Sequence, residues 1–315
     1  MPPKEKQFSL PRAASRKQCL IYRTLFKHIV VSCVVLHVTL SAQSAVSPAA
    51  FIVPKDDEIQ TATTHPMKYY ISLPTNWTSD KRWPVLFAVS AHYPAIADTI
   101  SRFEKLRDVR KYRFIIITPI VISTDPISKI KDYAGAISAS IDAADAAASD
   151  NRDFNIRTAF DSAGIRAVIH DVQNKYHGND KVYISGFSSS TSIAYLFIFT
   201  HPELLQGAVI NSGVYLGRGV DEEHIPYLNS PGRANLPIKF IKGENDKYNH
   251  GDPYNEGMKN WRETKAKLLS YGHLETNFQE EIVKKNNAEH LPSGHNYFYA
   301  PILDFCEAIE LKLNN

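Results

Sequence analysis

Ser188 is the residue of this chain whose setting best suits a nucleophile. It lies in Lys181-Val182-Tyr183-Ile184-Ser185-Gly186-Phe187-Ser188-Ser189-Ser190, a β-prone run that breaks on a glycine and delivers a serine two positions later. A serine hydroxyl attacks a carbonyl only if a sharp strand-to-helix turn lifts its oxygen clear of the sheet. That turn requires small residues two positions to either side. Gly186 meets the requirement, and Ser190 stands where a second glycine is usual. Because Gly-Ser clusters after strands are also ordinary turn chemistry, the rest of the apparatus must be sought elsewhere in the chain.

A serine nucleophile needs an acid and then a histidine, in that order, each on a loop after a strand. The run Pro237 to Lys242 leads into Gly243-Glu244-Asn245-Asp246, which puts Asp246 just beyond a carboxyl strand end. The strand around Phe278 to Val283 leads to Ser293-Gly294-His295, directly before the final helix. The histidine takes the serine proton and hands it to the leaving group, while a buried carboxylate holds the ring in the right tautomer. His290 competes for the base role, but Gly294 frees the backbone to turn at His295. Glu244 and Asp252 compete for the acid role; the first is expected to point away and the second sits deeper in a polar loop. An oxyanion hole takes one backbone N–H after the nucleophile, here Ser189, and another from the loop after an early strand. Ser90-Ala91-His92-Tyr93 is that loop, and its donor is the amide of His92 or Tyr93. No H-E-x-x-H, paired C-x-x-C or Gly-rich phosphate motif is found, and the acidic run near Asp246 and Asp252 lacks calcium-loop spacing.

Positioning these groups falls to alternating strands and helices. Strands are expected at Met67 to Leu73, Val85 to Ala91, Phe114 to Val121, Lys181 to Gly186, Ala208 to Ser212, Ile238 to Lys242 and Asn277 to Val283. Helices are expected at Ile96 to Lys111, Phe160 to Tyr176, Ser190 to Phe199, Met258 to Tyr271 and about Tyr297 to Leu313, where Ile302, Phe305, Ile309 and Leu313 recur at helical steps. The alternation predicts an α/β fold, with a mostly parallel central sheet and helices on both faces. Tyr133 to Asp153, rich in alanine, is read as a helix or an excursion over the sheet's edge, either a flap beside the site or a solvated insertion.

The 315 residues carry a formal +3, but seven cations against one acid put +6 on the first 45 residues and leave −3 on the rest. A mildly acidic body with no basic stripe excludes nucleic acid as a partner. The basic leader runs into the apolar stretch Ile29 to Leu40 and then Ser41-Ala42-Gln43-Ser44-Ala45. Residues 1–45 thus read as a signal peptide, or an anchor if uncleaved, with a secreted or periplasmic destination and membrane contact only in the uncleaved case. A flexible stretch at 46–62 and one domain at 63–315 would follow. Without the leader only Cys306 remains, so no internal disulfide forms. Asn76-Trp77-Thr78 is a sequon that matters only in a glycosylating host.

From about residue 67 to 313 the chain resembles the α/β-hydrolase superfamily, in particular secreted esterases related to polyhydroxybutyrate depolymerases and feruloyl or acetylxylan esterases. The resemblance rests on Tyr70-Ile71-Ser72-Leu73-Pro74 running into Pro84-Val85-Leu86-Phe87, on Gly186-Phe187-Ser188, on Gly243-Glu244-Asn245-Asp246 and on Gly294-His295. It implies an eight-stranded-type sheet, a Ser188-Asp246-His295 triad and ester hydrolysis through an acyl-enzyme without a cofactor. Ser190 for glycine, and Ser90-Ala91 where His-Gly is usual, depart from the family pattern. Small-molecule or polysaccharide-linked esters are the expected substrates. A binding protein on a hydrolase scaffold and a serine peptidase are the alternatives.

Overall fold

A strand that is apolar at every position needs cover on both faces of its sheet, and Val85–Val89 and Ile115–Pro119 are buried along their whole length. The computed structural model describes residues 59–91, 96–124, 150–215, 232–246, 253–284 and 296–314, all within one unit, Pro54–Asn315. Its strands are β1 (Ile59–Thr61), β2 (Lys68–Ser72), β3 (Val85–Val89), β4 (Ile115–Pro119), β5 (Val182–Phe187), β6 (Leu205–Asn211), β7 (Ile238–Gly243) and β8 (Phe278–Val283). Its helices are α1 (Ile96–Arg110), α2 (Asp150–Lys175), α3 (Thr191–Thr200), α4 (Pro253–Ser270) and α5 (Tyr299–Leu313).

The eight strands form one sheet in the order β1-β2-β4-β3-β5-β6-β7-β8. β2 runs antiparallel to both neighbours, and every pairing from β4 onward is parallel. All carboxyl ends from β3 to β8 therefore lie along one edge of the sheet, where loops can assemble a site. The two edge strands are poor templates for further pairing. β1 has three residues, and β8 carries Glu280 and Glu281, which meet Lys265 (3.6 Å) and Lys239 (2.6 Å).

Successive side chains of a strand point to opposite faces, and the core divides accordingly. Val85, Phe87, Val89 and Ile184 join Ile165 and Val168 of α2, Ile193 and Phe197 of α3, and Trp261 and Leu268 of α4. Leu86, Ala88, Ile116 and Tyr183 join Ile100 and Phe103 of α1 and Ile302 and Phe305 of α5. Helix α3, Thr-Ser-Ile-Ala-Tyr-Leu-Phe-Ile-Phe-Thr, is buried from Thr191 to Phe199. A helix apolar all round suits only the interior, and this one follows directly from the Ser188 turn.

Three sequence expectations shift. Ile59–Thr61, assigned to a flexible stretch, pairs antiparallel with β2, Ile59 opposite Tyr70 and Thr61 opposite Lys68, and Ala62 is buried beside it. Helix α2 begins ten residues before Phe160, so residues 150–153 of the alanine-rich segment are helical, and the rest of Tyr133–Asp153 lies outside the described residues. Leu313, placed in the apolar repeat of the last helix, is 60% exposed. The leader also lies outside the described residues, among which no helix is long and apolar enough to cross a membrane.

Candidate functional site

Ser188 directly follows β5 and opens a single 3₁₀ turn, Ser188–Ser190, that leads into α3. Its φ is +54°, in the left-handed region that non-glycine residues avoid at a cost of about 1–2 kcal/mol. Such strain persists only where the surroundings impose it, and it gathers at functional sites. The surroundings are tight. A Cβ on Gly186 would lie 2.5 Å from the Ser190 carbonyl oxygen and 2.7 Å from the Thr191 Cα, so this position accepts only glycine without backbone movement. Gly213, just beyond β6, closes the other side, since a Cβ there would lie 2.7 Å from the Ser188 carbonyl oxygen. The Thr191 hydroxyl donates to that carbonyl at 2.7 Å.

The two serines that follow are bound to the end of β3. Ser190, fully buried, accepts the Phe187 N–H at 2.9 Å and lies 2.8 Å from both the Val89 and the Phe187 carbonyl oxygens. Ser189 donates its hydroxyl to the Ala91 carbonyl at 3.2 Å. The amide of Ser189, the expected first oxyanion donor, therefore belongs to a turn whose flanks are held by side-chain hydrogen bonds. His92, the expected second donor, lies outside the described residues; Ser90 and Ala91 before it are buried.

On the far side of β6, β7 ends in a turn closed by the Asp246 N–H on the Gly243 carbonyl at 3.1 Å. The Glu244 N–H instead donates to Val283 of β8 at 2.9 Å. This turn separates the rival acids: Asp246 is fully buried and Glu244 is exposed. Asp252, His290 and His295 lie outside the described residues. The structure thus brings Ser188, Ser189 and Asp246 to the same carboxyl edge, at the ends of strands separated only by β6.

Residues 296–298, next after His295 in the chain, are tied to that edge from two directions. Asn211, the buried last residue of β6, accepts the Phe298 N–H at 2.7 Å and donates its amide to the Asn296 carbonyl at 3.0 Å. Tyr297 stacks on Phe187, with ring centroids 5.2 Å apart and planes 14° apart, and its hydroxyl reaches the Ser185 carbonyl at 3.3 Å. Burial pushes the Tyr297 phenol well above its ordinary range, so it stays a neutral donor. Sequence reasoning passed over Asn211, Tyr297 and Gly213. Asn211 could have been found, because it is a polar residue ending the otherwise apolar run Ala208-Val209-Ile210.

No protein-family model matches the chain, and no curated protein sequence does. Its shape is similar to a thermostable esterase at 15% identity and a TM-score of 0.47, over 82% of this chain and 62% of the other, so the chain spans less than two thirds of that protein. It is also similar to a thermophilic esterase of the planctomycete Thermogutta terrifontis with butyrate bound, at 12% identity and a TM-score of 0.49, over 81% of this chain and 94% of the other. The same enzyme phosphonylated by cyclosarin superposes at 12% identity and a TM-score of 0.48, over 82% and 96%. The sheet's strand order, its reversed β2 and its helices on both faces make this an α/β-hydrolase fold.

Proposed function

We propose that this chain is a serine hydrolase that cleaves carboxylic esters through an acyl-enzyme. One observation carries the reading: Ser188 is held at a φ of +54° on a turn between β5 and α3 that only Gly186 allows. A serine held in this conformation between a strand and a helix is the arrangement a nucleophile turn needs. In this reading the Ser188 oxygen attacks the ester carbonyl carbon and its proton passes to the His295 imidazole. Asp246 orients that ring and stabilises its cation. The negative charge on the tetrahedral carbonyl oxygen is met by the amides of Ser189 and His92. Collapse breaks the bond to the alcohol, which leaves with the proton from His295, and water repeats the sequence on the acyl-serine with the same base.

The complete burial of Asp246 supports its role, since a carboxylate shielded from water stabilises an imidazolium more strongly than a solvated one does. The proposed substrates are small or polysaccharide-linked esters, as for secreted esterases related to polyhydroxybutyrate depolymerases and feruloyl or acetylxylan esterases. The leader-like residues 1–45 put the mature protein outside the cytoplasm in this proposal. The test is incubation with a fluorophosphonate probe, peptide mapping of the label, and a panel of aryl, feruloyl, acetyl and peptide substrates. Label on Ser188 with turnover of esters alone is the expected result. No label and no turnover would leave a binding protein on a hydrolase scaffold, and turnover of peptides a serine peptidase.

A further inference from the structure

We infer that the Ser190 hydroxyl is a positioning device for the nucleophile turn, replacing with a hydrogen-bonded tether the second glycine that such a turn usually carries. The inference rests on the reading of Ser188 as nucleophile. Close approach of backbone to backbone is already provided at Gly186, where a side chain would collide with the Ser190 carbonyl oxygen at 2.5 Å. A second glycine at position 190 is therefore not needed for clearance, and a serine there is free to do something else. One oxygen, fully buried, serves three elements. It receives the Phe187 N–H at 2.9 Å from the last residue of β5, and its own proton goes to the Val89 carbonyl of β3 or the Phe187 carbonyl, each 2.8 Å away. It belongs itself to the residue that immediately precedes α3.

The bond from Phe187 to Ser190 closes a ring of chain over Ser188 and Ser189. Closing that ring limits the backbone angles between its ends, so it opposes relaxation of the positive φ at Ser188. The second anchor, on Val89, fixes the ring against the strand that runs into the expected oxyanion loop, and Ser189 adds a bond to Ala91 at 3.2 Å. Glycine at position 190 would delete these bonds and add backbone freedom in the same step. Attack geometry tolerates only about 0.5 Å of drift, and a misplacement of about 1 Å costs on the order of a hundredfold in rate. The effect belongs on kcat, because the Ser190 side chain is fully buried and out of reach of substrate.

Ser190→Gly and Ser190→Ala decide the matter, measured beside wild type and Leu268→Ala, a truncation in the core of α4. Both Ser190 variants are expected to lower kcat on short-chain aryl esters, counted per titrated folded molecule, by about tenfold to a hundredfold. KM should stay within about threefold, the pH midpoint of kcat should not move, and fluorophosphonate labelling should slow in parallel. The exchange rate of the Phe187 amide proton should rise in both. Wild-type kcat in Ser190→Gly overturns the inference, because small size would then be all the position needs. An equal fall in kcat in Leu268→Ala also overturns it, since general loss of stability would then explain the effect. If wild type itself neither turns over esters nor takes the probe, the hydrolase reading falls. Phe187 exchange then decides the tether alone: faster exchange in Ser190→Ala supports it and unchanged exchange overturns it.

Discussion

Asn211 and Phe298, 87 residues apart in the chain, are joined by a buried hydrogen bond of 2.7 Å from the Phe298 N–H to the Asn211 side-chain oxygen. The Asn211 amide completes a two-point clasp on the Asn296 carbonyl at 3.0 Å. Both bonds begin at the end of β6, the strand between the one that carries Ser188 and the one that carries Asp246. The segment that follows His295 is therefore docked between the strand ends that carry Ser188 and Asp246.

Asn211→Ala should leave the buried Phe298 N–H and the half-buried Asn296 carbonyl without the Asn211 side chain. At about 1–3 kcal/mol for each unsatisfied group, a loss of roughly 2–6 kcal/mol is expected, visible as a lower denaturant midpoint with an unchanged slope. Activity per folded molecule should also drop, because the chain beyond His295 loses its anchor. A variant as stable and as active as wild type would mean that the clasp holds nothing of consequence.

Ser188→Ala should abolish hydrolysis of short-chain aryl esters, with a loss on the order of 10⁴ to 10⁶ in turnover. The folded signal should persist, since the hydroxyl is on a half-buried turn and not in the core. Ser189→Ala, measured beside it, should retain most of the activity because its contribution to the oxyanion is made through the backbone. Wild-type turnover by Ser188→Ala would remove the central reading.

The two histidines five residues apart provide a sharper comparison. His295→Ala should match the loss of Ser188→Ala, whereas His290→Ala should stay within about tenfold of wild type, a difference of about 1.4 kcal/mol. Asp246→Asn should cost on the order of 10³ to 10⁴, as expected when the base loses the partner that sets its tautomer. Steady-state kinetics of the three variants on one ester decide the assignment, and a severe defect in His290→Ala would exchange the two histidines.

Gly186→Ala should be among the most damaging single substitutions in the sheet. The added carbon would meet backbone atoms at 2.5 Å and 2.7 Å, and backbone cannot swing aside as a long side chain does. Overpacking of this kind costs about 1–3 kcal/mol or more, so thermal unfolding should move down and fluorophosphonate labelling should weaken. Unaltered stability would show that the turn has slack.

His273 predicts part of the acid sensitivity. It is buried, neither ring nitrogen has a hydrogen-bond partner among the described residues, and desolvation, helped by the nearby Arg233 cation, lowers its pKa from 6.5 to about 4. The folded state thus prefers the neutral ring, while the unfolded chain protonates near 6.5. Its contribution is complete above that pH and is lost as the pH falls through the window to about 4, by on the order of 3 kcal/mol. The ring lies against Phe278, with centroids 6.2 Å apart, so His273→Phe is a reasonable replacement. The difference in stability between wild type and this variant should narrow or reverse in favour of the variant from pH 7 to pH 4, as read by urea titration. A constant difference across that range would place the acid sensitivity elsewhere.

How much of this was legible in the chain follows from the range of the forces involved. Runs such as Phe114 to Ile117 announce a doubly covered strand by composition alone, and seven of the eight strands and all five described helices were anticipated near their observed positions. β1 was not, because three residues carry too little periodicity and its pairing partner, β2, supplies the signal. Gly186, Ser188 and Asp246 are candidates through local rules, since a tight turn and a strand end are written within a few residues. The different surroundings of Glu244 and Asp246 needed the third dimension: the amide of Glu244 is drawn to β8, and Asp246 is buried. The Val89 anchor of Ser190 and the roles of Asn211 and Tyr297 belong to tertiary structure. Their partners, Val89, Phe298 and Phe187, lie about a hundred residues away in the chain. A hydrogen bond or a ring stack forms on distance in space, which the order of residues expresses only once the sheet has brought its strand ends together.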